Sequence, residues 1–271
     1  MRPASRAFLS SAGLALSRLG RLGRARGFRI LYYHSISDAP VRSSVSPAAF
    51  EGQIEHLVRR GYQLLSLSEA TRRVASGGPL APQSLVLTLD DGFRDNYEHA
   101  FPVLMRFRVP ATVFLTVAYI GTDRLPTLTR TEFVPRPLSW EQVKEMHAHG
   151  IEFGSHTLTH PMLSQISPDA ARREIVQSRR VIEDKLGSPA RLFCYPRGDF
   201  NATVKRIVGE EGYVAACTTR PGVNDGRTDP YALRRTYVSR QDTPTEFAKK
   251  VAGGYDLLQE AARRWQLLRR R

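Results

Sequence analysis

From residue 28 onward, short apolar runs alternate with helical patterns, and this alternation constrains the fold more than any other feature of the 271-residue chain. Strands that alternate with helices form βα units and a parallel sheet, and about seven such units can close into a barrel. No break in composition divides the units, so we predict a single α/β domain, a distorted (β/α) barrel over residues 28–240. The predicted strands cover residues 28–33, 62–67, 85–89, 111–116, 151–155, 191–195 and 213–218, with a further strand at 233–239.

Capping residues mark several helix ends in the sequence. Ser46 and Ser167 are each followed by Pro, which is typical of an N-cap and the first helical position. Ser139 and Gln142 have the spacing of a capping box. These signals predict a helix directly after each of the three serines, and an apolar periodicity predicts another helix over about residues 94–107.

The formal net charge is +14, but the excess lies at the two ends of the chain. Residues 1–29 carry seven Arg and residues 261–271 carry five more, with no acidic residue in either segment. Residues 30–260 hold the other 28 basic residues and all 26 acidic ones, a net charge of +2. A groove that follows nucleic-acid phosphates has basic residues interleaved with aromatic ones inside the fold, so this distribution argues against nucleic acid as a partner.

The N-terminal segment, residues 1–27, has the pattern of a basic amphipathic helix. Apolar residues between Phe8 and Leu22 share one face, and the Arg residues lie mostly opposite. Such a helix can lie on an anionic membrane surface, pack on the barrel or stay solvated. The C-terminal segment, residues 241–271, is a predicted helix with a basic tail and leaves the same alternatives. We expect a cytoplasmic protein or one at the cytoplasmic membrane surface, and an exported form stays open because residues 7–16 could pass for a short signal segment.

Three polar segments follow predicted strands at the point where each strand ends. They are Asp90 with Asp91, the segment that begins at His156, and the turn at residues 195–198. The carboxyl ends of parallel strands meet on one face of a barrel, and that face carries the active site. We therefore expect these segments to lie close together.

Two imidazoles and one carboxylate from these segments can hold a divalent metal ion. His156 and His160 are spaced i and i+4, so both lie on one face if the segment makes a helical turn. Two His and one carboxylate leave positions open for water and substrate, as catalytic sites require. Of the adjacent pair Asp90 and Asp91, one can bind the metal while the other accepts a proton from metal-bound water. This arrangement predicts hydrolysis rather than redox chemistry.

Three motifs together resemble those of the polysaccharide deacetylases with a NodB homology domain, carbohydrate esterase family 4. Residues 88–92, TLDDG, look like the T-F-D-D-G motif of that family. Residues 156–160, HTLTH, match its H-[S/T]-x-x-H motif in full, and residues 193–198 resemble its third motif, with order and spacing in agreement over about residues 28–240. The resemblance implies a distorted (β/α) barrel that removes N-acetyl groups from the amino sugars of a glycan and releases acetate.

The resemblance also implies a role for each matched residue. Asp91, His156 and His160 correspond to the metal ligands, and the divalent metal is usually zinc. Asp90 corresponds to the catalytic base, and the backbone N–H of Arg197 to the donor that stabilises the oxyanion. The implied partner is an N-acetylated glycan in a poly- or oligosaccharide.

The sequence departs from the family pattern at two points. The third motif often carries an Arg where this chain has Cys194, and Arg234 and Arg235 are the candidates to replace it. Many members use a late His as general acid, but no His follows His160 in this chain. His34, in the segment YYHSI, resembles the early Y-H motif of the biofilm poly-N-acetylglucosamine deacetylases, whose early His acts as acid. We therefore predict His34 as the acid.

Other functions agree with parts of the pattern. Non-haem Fe(II) oxygenases also use two His and one carboxylate, but usually on a double-stranded β-helix rather than on βα units. Hydrolysis of a non-sugar amide would use the same barrel. A catalytically impaired domain that binds glycan would explain Cys194 and the missing late His, although a pure binder needs no base such as Asp90 beside a metal ligand. Cys194 and Cys217 can form a disulfide or stay as buried thiols.

Overall fold

A curled half-barrel sheet of mostly parallel strands forms the centre of the molecule, within the residues that the computed structural model describes, 27–123 and 135–256. The strands are, in chain order, β1 (Gly27–Tyr33), β2 (Ser35–Ile36), β3 (Ser44–Val45), β4 (Gln63–Leu65), β5 (Ser84–Leu89), β6 (Ala111–Leu115), β7 (Glu152–Ser155), β8 (Leu192–Cys194), β9 (Ala215–Cys217), β10 (Val223–Asp225) and β11 (Thr236–Tyr237). The sheet follows the order β10-β1-β5-β6-β7-β8-β9, with β4 beside β5 and β11 beside β1, while β2 pairs with β3. The predicted α/β class and distorted barrel are confirmed.

Helices alternate with these strands, and three of them begin where the capping residues predict. The α-helices of the described residues are α1 (Pro47–Arg59), α2 (Leu67–Ala75), α3 (Phe101–Phe107), α4 (Trp140–Ala148), α5 (Pro168–Leu186), α6 (Ala202–Glu210) and α7 (Pro244–Val251). Ser46, Ser139 and Ser167 accept backbone hydrogen bonds at the starts of α1, α4 and α5. Ser139 forms the predicted capping box with Gln142.

The strands β1 and β5 are neighbours in the sheet and are buried along their whole length. A strand that is covered on both faces is apolar at nearly every position, which explains the runs GFRILYY and SLVLTL. The two strands are parallel, with Tyr33 opposite Leu89. This register places the next residue of each strand, His34 and Asp90, side by side at the carboxyl edge of the sheet.

The sheet differs from the predicted one near its closing strands. β10 runs antiparallel to β1, so the sheet is not wholly parallel. The strand predicted over residues 233–239 is reduced to β11, and Leu233 adds a single parallel bridge to Cys217. This segment therefore connects β9 to β1 through isolated contacts instead of a continuous ladder.

A π-helix lies inside the helix that the sequence predicts over residues 94–107. It spans Asn96–Ala100 and runs directly into α3. Pro102 lies in the first turn of α3, where its missing N–H cannot continue an α-helical ladder from the preceding turn. The π turn accommodates this interruption, and such turns occur often at functional sites.

The two basic ends lie mostly outside the described residues. Of the predicted N-terminal segment only Gly27 is described, and the C-terminal segment is described to Asp256, with α7 beginning at the predicted Pro244. The domain boundaries at residues 27 and 240 stay predictions. Among the helices of the described ranges, none combines the length and the apolar character that a membrane span requires.

Candidate active site

A cavity of about 230 Å³ opens where β1, β5, β7 and β8 end. The structure brings together all six residues that the sequence nominates for chemistry. The six that line the cavity are His34, Asp90, Asp91, His156, His160 and Arg197. Arg235 lines the cavity as well, from the segment that leads into β11.

Asp91, His156 and His160 form a cluster of potential metal ligands whose ligand atoms all lie within 4.8 Å of one another. Each imidazole Nε2 is 3.6 Å from Asp91 Oδ1. Asp91 Oδ1 is buried and has no hydrogen-bond partner among the described residues. A buried polar atom without a partner costs free energy, and a cation between the three ligand atoms would satisfy it. One carboxylate and two imidazoles are donors that divalent transition metals accept, so these residues fit a metal ion.

The two histidines meet through a tight turn and not through the helical turn that their spacing allows. Thr157 and His160 have left-handed backbone conformations, with φ of 67° and 65°. Thr157 Oγ1 accepts a hydrogen bond from the His160 N–H at 2.9 Å. Glu174, from α5, accepts hydrogen bonds from two successive backbone N–H groups of the turn, at 2.9 and 2.8 Å. These contacts hold both rings towards Asp91.

A backbone carbonyl orients the ring of His156. The Nδ1 atom lies 2.7 Å from the Cys194 carbonyl oxygen, which can only accept a hydrogen bond, so Nδ1 carries the proton. The Nε2 atom is then unprotonated and faces Asp91. Histidine ligands usually donate their second N–H in this way, which fixes the tautomer that binds metal.

Burial governs the charge state of the cluster. Burial, with the neighbouring Asp90 carboxylate as the second cause, raises the pKa of Asp91 to about 8. Burial lowers the pKa of His156 to about 4 and that of His160 to about 3, so both imidazoles are neutral at pH 7. Without a cation, the cluster therefore keeps a proton on Asp91 at neutral pH. A divalent cation would compete with that proton.

Arg235 holds the Asp90 carboxylate in a bidentate ion pair. Nη1 donates a hydrogen bond to Oδ1 at 2.7 Å, and Nη2 donates to Oδ2 at 2.8 Å. Arg235 Nε donates to the Thr218 carbonyl oxygen at 2.9 Å, which fixes the guanidinium plane. Burial by itself raises the pKa of Asp90, but Arg235 outweighs burial and holds this pKa at about 2. Asp90 is therefore ionised throughout the physiological pH range.

Of the two arginines that could replace the missing motif arginine, the structure selects Arg235. Arg234 is exposed and donates towards the Pro221 carbonyl oxygen instead. Successive side chains of an extended segment point to opposite faces, so only one of the two can reach Asp90. Cys194 stands at the motif position, with its Sγ atom 3.0 Å from Arg235 Nη2. Both cysteines of the chain are free, buried thiols.

His34 lies at the end of β1 and lines the cavity beside Asp90. Burial lowers the pKa of His34, and the negative charge of Asp90 opposes this shift. The imidazole packs against the rings of Tyr32 and Tyr237, with centroid distances of 5.8 and 5.7 Å. Its Nδ1 atom has no hydrogen-bond partner within the described part of the chain. The ring is therefore placed by packing and by its backbone, and not by a hydrogen bond to Nδ1.

Arg197 lies in a single 3₁₀ turn, Pro196–Gly198, that follows β8. Its backbone is left-handed, with φ of 55°. Gly198 packs against Thr219, because a Cβ atom at this glycine would come within 2.3 Å of Thr219 Oγ1. The close approach therefore places the turn against the segment after β9.

Two residues that shape the site were not predicted from the sequence. Glu174 holds the turn between the histidines, but an acidic residue on a helix surface is too common to be a signal. Asn96 donates a hydrogen bond to the His34 carbonyl oxygen at 2.8 Å. Its position four residues after Gly92 is no signal in the sequence, because its contact with His34 depends on the π turn.

The family model for polysaccharide deacetylase matches residues 77–216, a range that contains Asp90, Asp91, His156 and His160. The Bacillus subtilis (strain 168) protein named "Putative polysaccharide deacetylase YxkH" is 31% identical over 210 residues, which cover 78% of this chain and 71% of that protein. The chain therefore belongs to the polysaccharide deacetylase family, whose members are hydrolases that act on N-acetyl groups of polysaccharides.

Two further comparisons agree with this assignment. The poly-β-1,6-N-acetyl-D-glucosamine N-deacetylase of Escherichia coli (strain K12) is 30% identical over 260 residues, which cover 83% of this chain and 38% of that relative. The structure of IcaB from Ammonifex degensii superposes with a TM-score of 0.74 at 26% identity, over 85% of this chain and 98% of that chain. The fold and the enzyme class predicted from the motifs are confirmed.

Proposed function

We propose that this chain hydrolyses N-acetyl groups of a β-1,6-linked N-acetylglucosamine polymer. The similarity to the Escherichia coli enzyme named for that substrate supports the substrate class. The observation that carries the proposal is that one cavity contains both the Asp91, His156 and His160 cluster and the Asp90–Arg235 pair. In the reaction, a water oxygen bonds to the acetyl carbonyl carbon and the C–N bond breaks. The products are acetate and a glycan with a free amine.

Asp91, His156 and His160 are the ligands of a divalent metal ion in this proposal, and the ion is zinc. Two imidazole nitrogens and one carboxylate oxygen form a zinc site that keeps coordination positions open. When bound, the ion supplies Lewis acidity to the acetyl carbonyl and makes water more acidic. The unpartnered Asp91 Oδ1 supports the assignment.

Asp90 accepts the proton of the attacking water in this mechanism. Arg235 keeps the carboxylate ionised before the reaction, because it holds the pKa of Asp90 at about 2. The bidentate geometry also fixes the direction of the carboxylate oxygens. A carboxylate that is ionised and fixed in direction can accept a proton without a prior change of conformation.

The backbone N–H of Arg197 donates to the oxygen that becomes negatively charged when water adds to the carbonyl. The rigid left-handed turn supports this role, because a preorganised donor stabilises developing charge without reorganisation. His34 donates a proton to the departing amine nitrogen. Its position beside Asp90 in the cavity supports this role, and no His follows His160 that could perform it.

The basic N-terminal segment, residues 1–27, binds an anionic membrane surface in this proposal and holds the enzyme there. The six Arg of this segment and the apolar face that its sequence predicts support the assignment. Flotation with vesicles of anionic lipid tests it. Binding to anionic vesicles that is lost without residues 1–26 is expected, and equal flotation of the full and shortened chains contradicts the assignment.

Acetate release from a β-1,6-linked N-acetylglucosamine oligomer tests the proposed activity. The protein is stripped with a chelator, reloaded with zinc and compared with Asp90→Asn. We expect zinc-dependent release and a loss of at least about 100-fold in Asp90→Asn, with zinc content unchanged. Arg234→Gln is the control, because Arg234 is exposed and lies outside the cavity lining.

Three outcomes contradict the proposal in different ways. Stoichiometric zinc binding without acetate release from any N-acetyl sugar indicates a domain that only binds glycan. Release from small non-sugar acetamides but not from the oligomer indicates a general amidohydrolase. Full activity of Asp90→Asn removes Asp90 from the mechanism.

A further inference from the structure

Two adjacent side chains, Asp95 and Asn96, hold the chain segment that carries His34. Asn96 Nδ2 donates to the His34 carbonyl oxygen at 2.8 Å. Asp95 accepts a hydrogen bond from the Ser35 hydroxyl at Oδ2, and one from the Ile36 N–H at Oδ1, at 3.1 Å. Three consecutive residues directly after β1, His34 to Ile36, are thus bound by one dipeptide.

The dipeptide is buried, and its two side chains are hydrogen-bonded to each other. Asn96 Nδ2 donates a second hydrogen bond to Asp95 Oδ1, at 2.9 Å. Asn96 is 0% exposed and Asp95 is 7% exposed. Because both side chains are buried and linked to each other, neither can shift without breaking several hydrogen bonds. The position of the segment after β1 is therefore coupled to the position of the π-helix.

Stability alone does not account for the choice of Asn at position 96. Its Oδ1 atom is buried and has no hydrogen-bond partner among the described residues. A buried acceptor without a partner lowers the stability of the fold. Departures of this kind are expected where a residue serves function rather than packing.

The dipeptide lies at the start of the π-helix. Asp95 is the residue directly before this helix, and Asn96 is its first residue. The Phe101 N–H donates to the Asn96 carbonyl oxygen, five residues back. The hydrogen bonds of both side chains place them against the segment that follows β1.

We propose that Asp95 and Asn96 are positioning residues for the His34 imidazole. The inference rests on the proposed function, in which His34 protonates the departing amine. Neither residue is among those that line the cavity, so they act through His34 and do not touch substrate. Among the described residues, Nδ1 has no hydrogen-bond partner that would orient the ring, so its placement depends on ring packing and on the backbone that the dipeptide holds. Proton transfer needs hydrogen-bond distance to the amine, and a small displacement of the donor is costly.

Asn96→Ala tests this role if its activity is compared between two substrates with different leaving groups. An amine must be protonated as it departs, whereas 4-nitrophenolate leaves without a proton. We expect kcat for the glycan to fall about 10-fold to 100-fold, with KM and zinc content unchanged. Hydrolysis of 4-nitrophenyl acetate should stay at the native rate. Equal losses on both substrates would show that Asn96 only maintains the structure, and would overturn the inference.

Thr112→Val is the control, because it removes a different, partly buried hydrogen bond, from the buried Thr112 to Glu152 at 3.0 Å, near the opposite end of the sheet. Both rates should be unchanged in this variant. Asp95→Asn serves as a second test if Asn96→Ala does not fold. It keeps the size of the side chain but places an amide against the donors from Ser35 and Ile36, so the same selective loss on the glycan is expected.

A double-mutant cycle separates this inference from the proposed function. If Asn96 acts through His34, Asn96→Ala causes no further loss of kcat in a His34→Ala background. Multiplicative losses would overturn the inference while His34 keeps its role. Full glycan activity of His34→Ala would instead remove His34 as the acid, and the positioning role would fail with it.

Discussion

Arg235 donates one hydrogen bond to each carboxylate oxygen of Asp90, at 2.7 and 2.8 Å, and the two side chains are 0% and 3% exposed. A buried ion pair is stable only if its geometry is good and its remaining donors are satisfied. Arg235 meets this condition, since it also donates to the Thr218 carbonyl oxygen and to Thr88 Oγ1. One residue therefore sets both the charge and the direction of the carboxylate.

Arg235→Gln should destabilise the fold strongly and reduce activity. The substitution leaves Asp90 buried without its counter-charge, and breaking a buried pair in this way typically costs about 3–5 kcal/mol. Urea unfolding at pH 7 measures this loss. With Arg235 present, the folded-state pKa of Asp90 lies at about 2, below its ordinary value. The contribution of the pair to stability is thus present above about pH 4 and is lost as pH falls towards 2.

The difference in unfolding free energy between the native chain and Arg235→Gln should therefore narrow in acid. Arg234→Gln provides the control, because this neighbouring arginine is exposed and should change stability by no more than about 0.5 kcal/mol. Equal effects of the two substitutions would show that the buried pair has no special role.

Zinc binding should release a proton from Asp91 at neutral pH. The pKa of Asp91 is raised to about 8 by burial and by Asp90, while both histidines are neutral above about pH 5. Metal binds the ionised carboxylate, so affinity should rise about tenfold per pH unit between pH 5 and pH 8 and level off above. Calorimetry in two buffers of different ionisation enthalpy measures the released protons. Proton-independent binding at pH 6.5 would contradict the raised pKa.

The raised pKa of Asp91 also determines how the stability of the metal-free protein depends on pH. Because the folded-state pKa of Asp91 is above its ordinary value, its contribution to stability is present below about pH 4 and is lost as pH rises through 8. Chelated protein should therefore become less stable than zinc-loaded protein as pH rises, which thermal unfolding at pH 5 and pH 8 would reveal.

The features that the sequence predicts correctly are those for which a residue pattern has a single structural explanation. A strand buried on both faces is apolar throughout, so β1 and β5 are evident in the sequence. The spacing of Ser139 and Gln142 is typical of a capping box, which the structure contains. Because parallel strands end on one face, the approximate location of Asp90 and His156 followed from the strands alone.

Other features could not be predicted, because the sequence fits two structural alternatives equally well. Arg234 and Arg235 are adjacent, and which of them faces Asp90 depends on the register of the two-residue strand β11. The spacing of His156 and His160 fits a helical turn as well as the left-handed turn that forms. Pro102 is as typical of an ordinary helix start as of a π-helix, so the π turn was not predicted.

Arg197→Gly should keep activity and leave stability unchanged or slightly higher. Arg197 has a left-handed backbone, which glycine adopts without the steric cost of about 1 kcal/mol that other residues pay. The extra freedom of glycine in the unfolded chain offsets part of this gain. If the backbone N–H is the oxyanion donor, kcat for acetate release should stay within a few-fold of the native value. A loss of 100-fold or more would instead assign the function to the guanidinium.

Glu174→Ala should weaken zinc binding although Glu174 is not a ligand. Its carboxylate accepts hydrogen bonds from the N–H groups of Leu158 and Thr159 and from the Thr159 hydroxyl, and so holds the turn between the two histidines. Residues that orient metal ligands typically contribute about 10-fold to 100-fold in affinity. Competition with a chromophoric chelator measures the change. Glu183→Ala is the control, because Glu183 lies on the same helix, α5, pairs with Arg179 and should leave the affinity unchanged. Equal affinities for all three proteins would show that the left-handed turn is stable without Glu174.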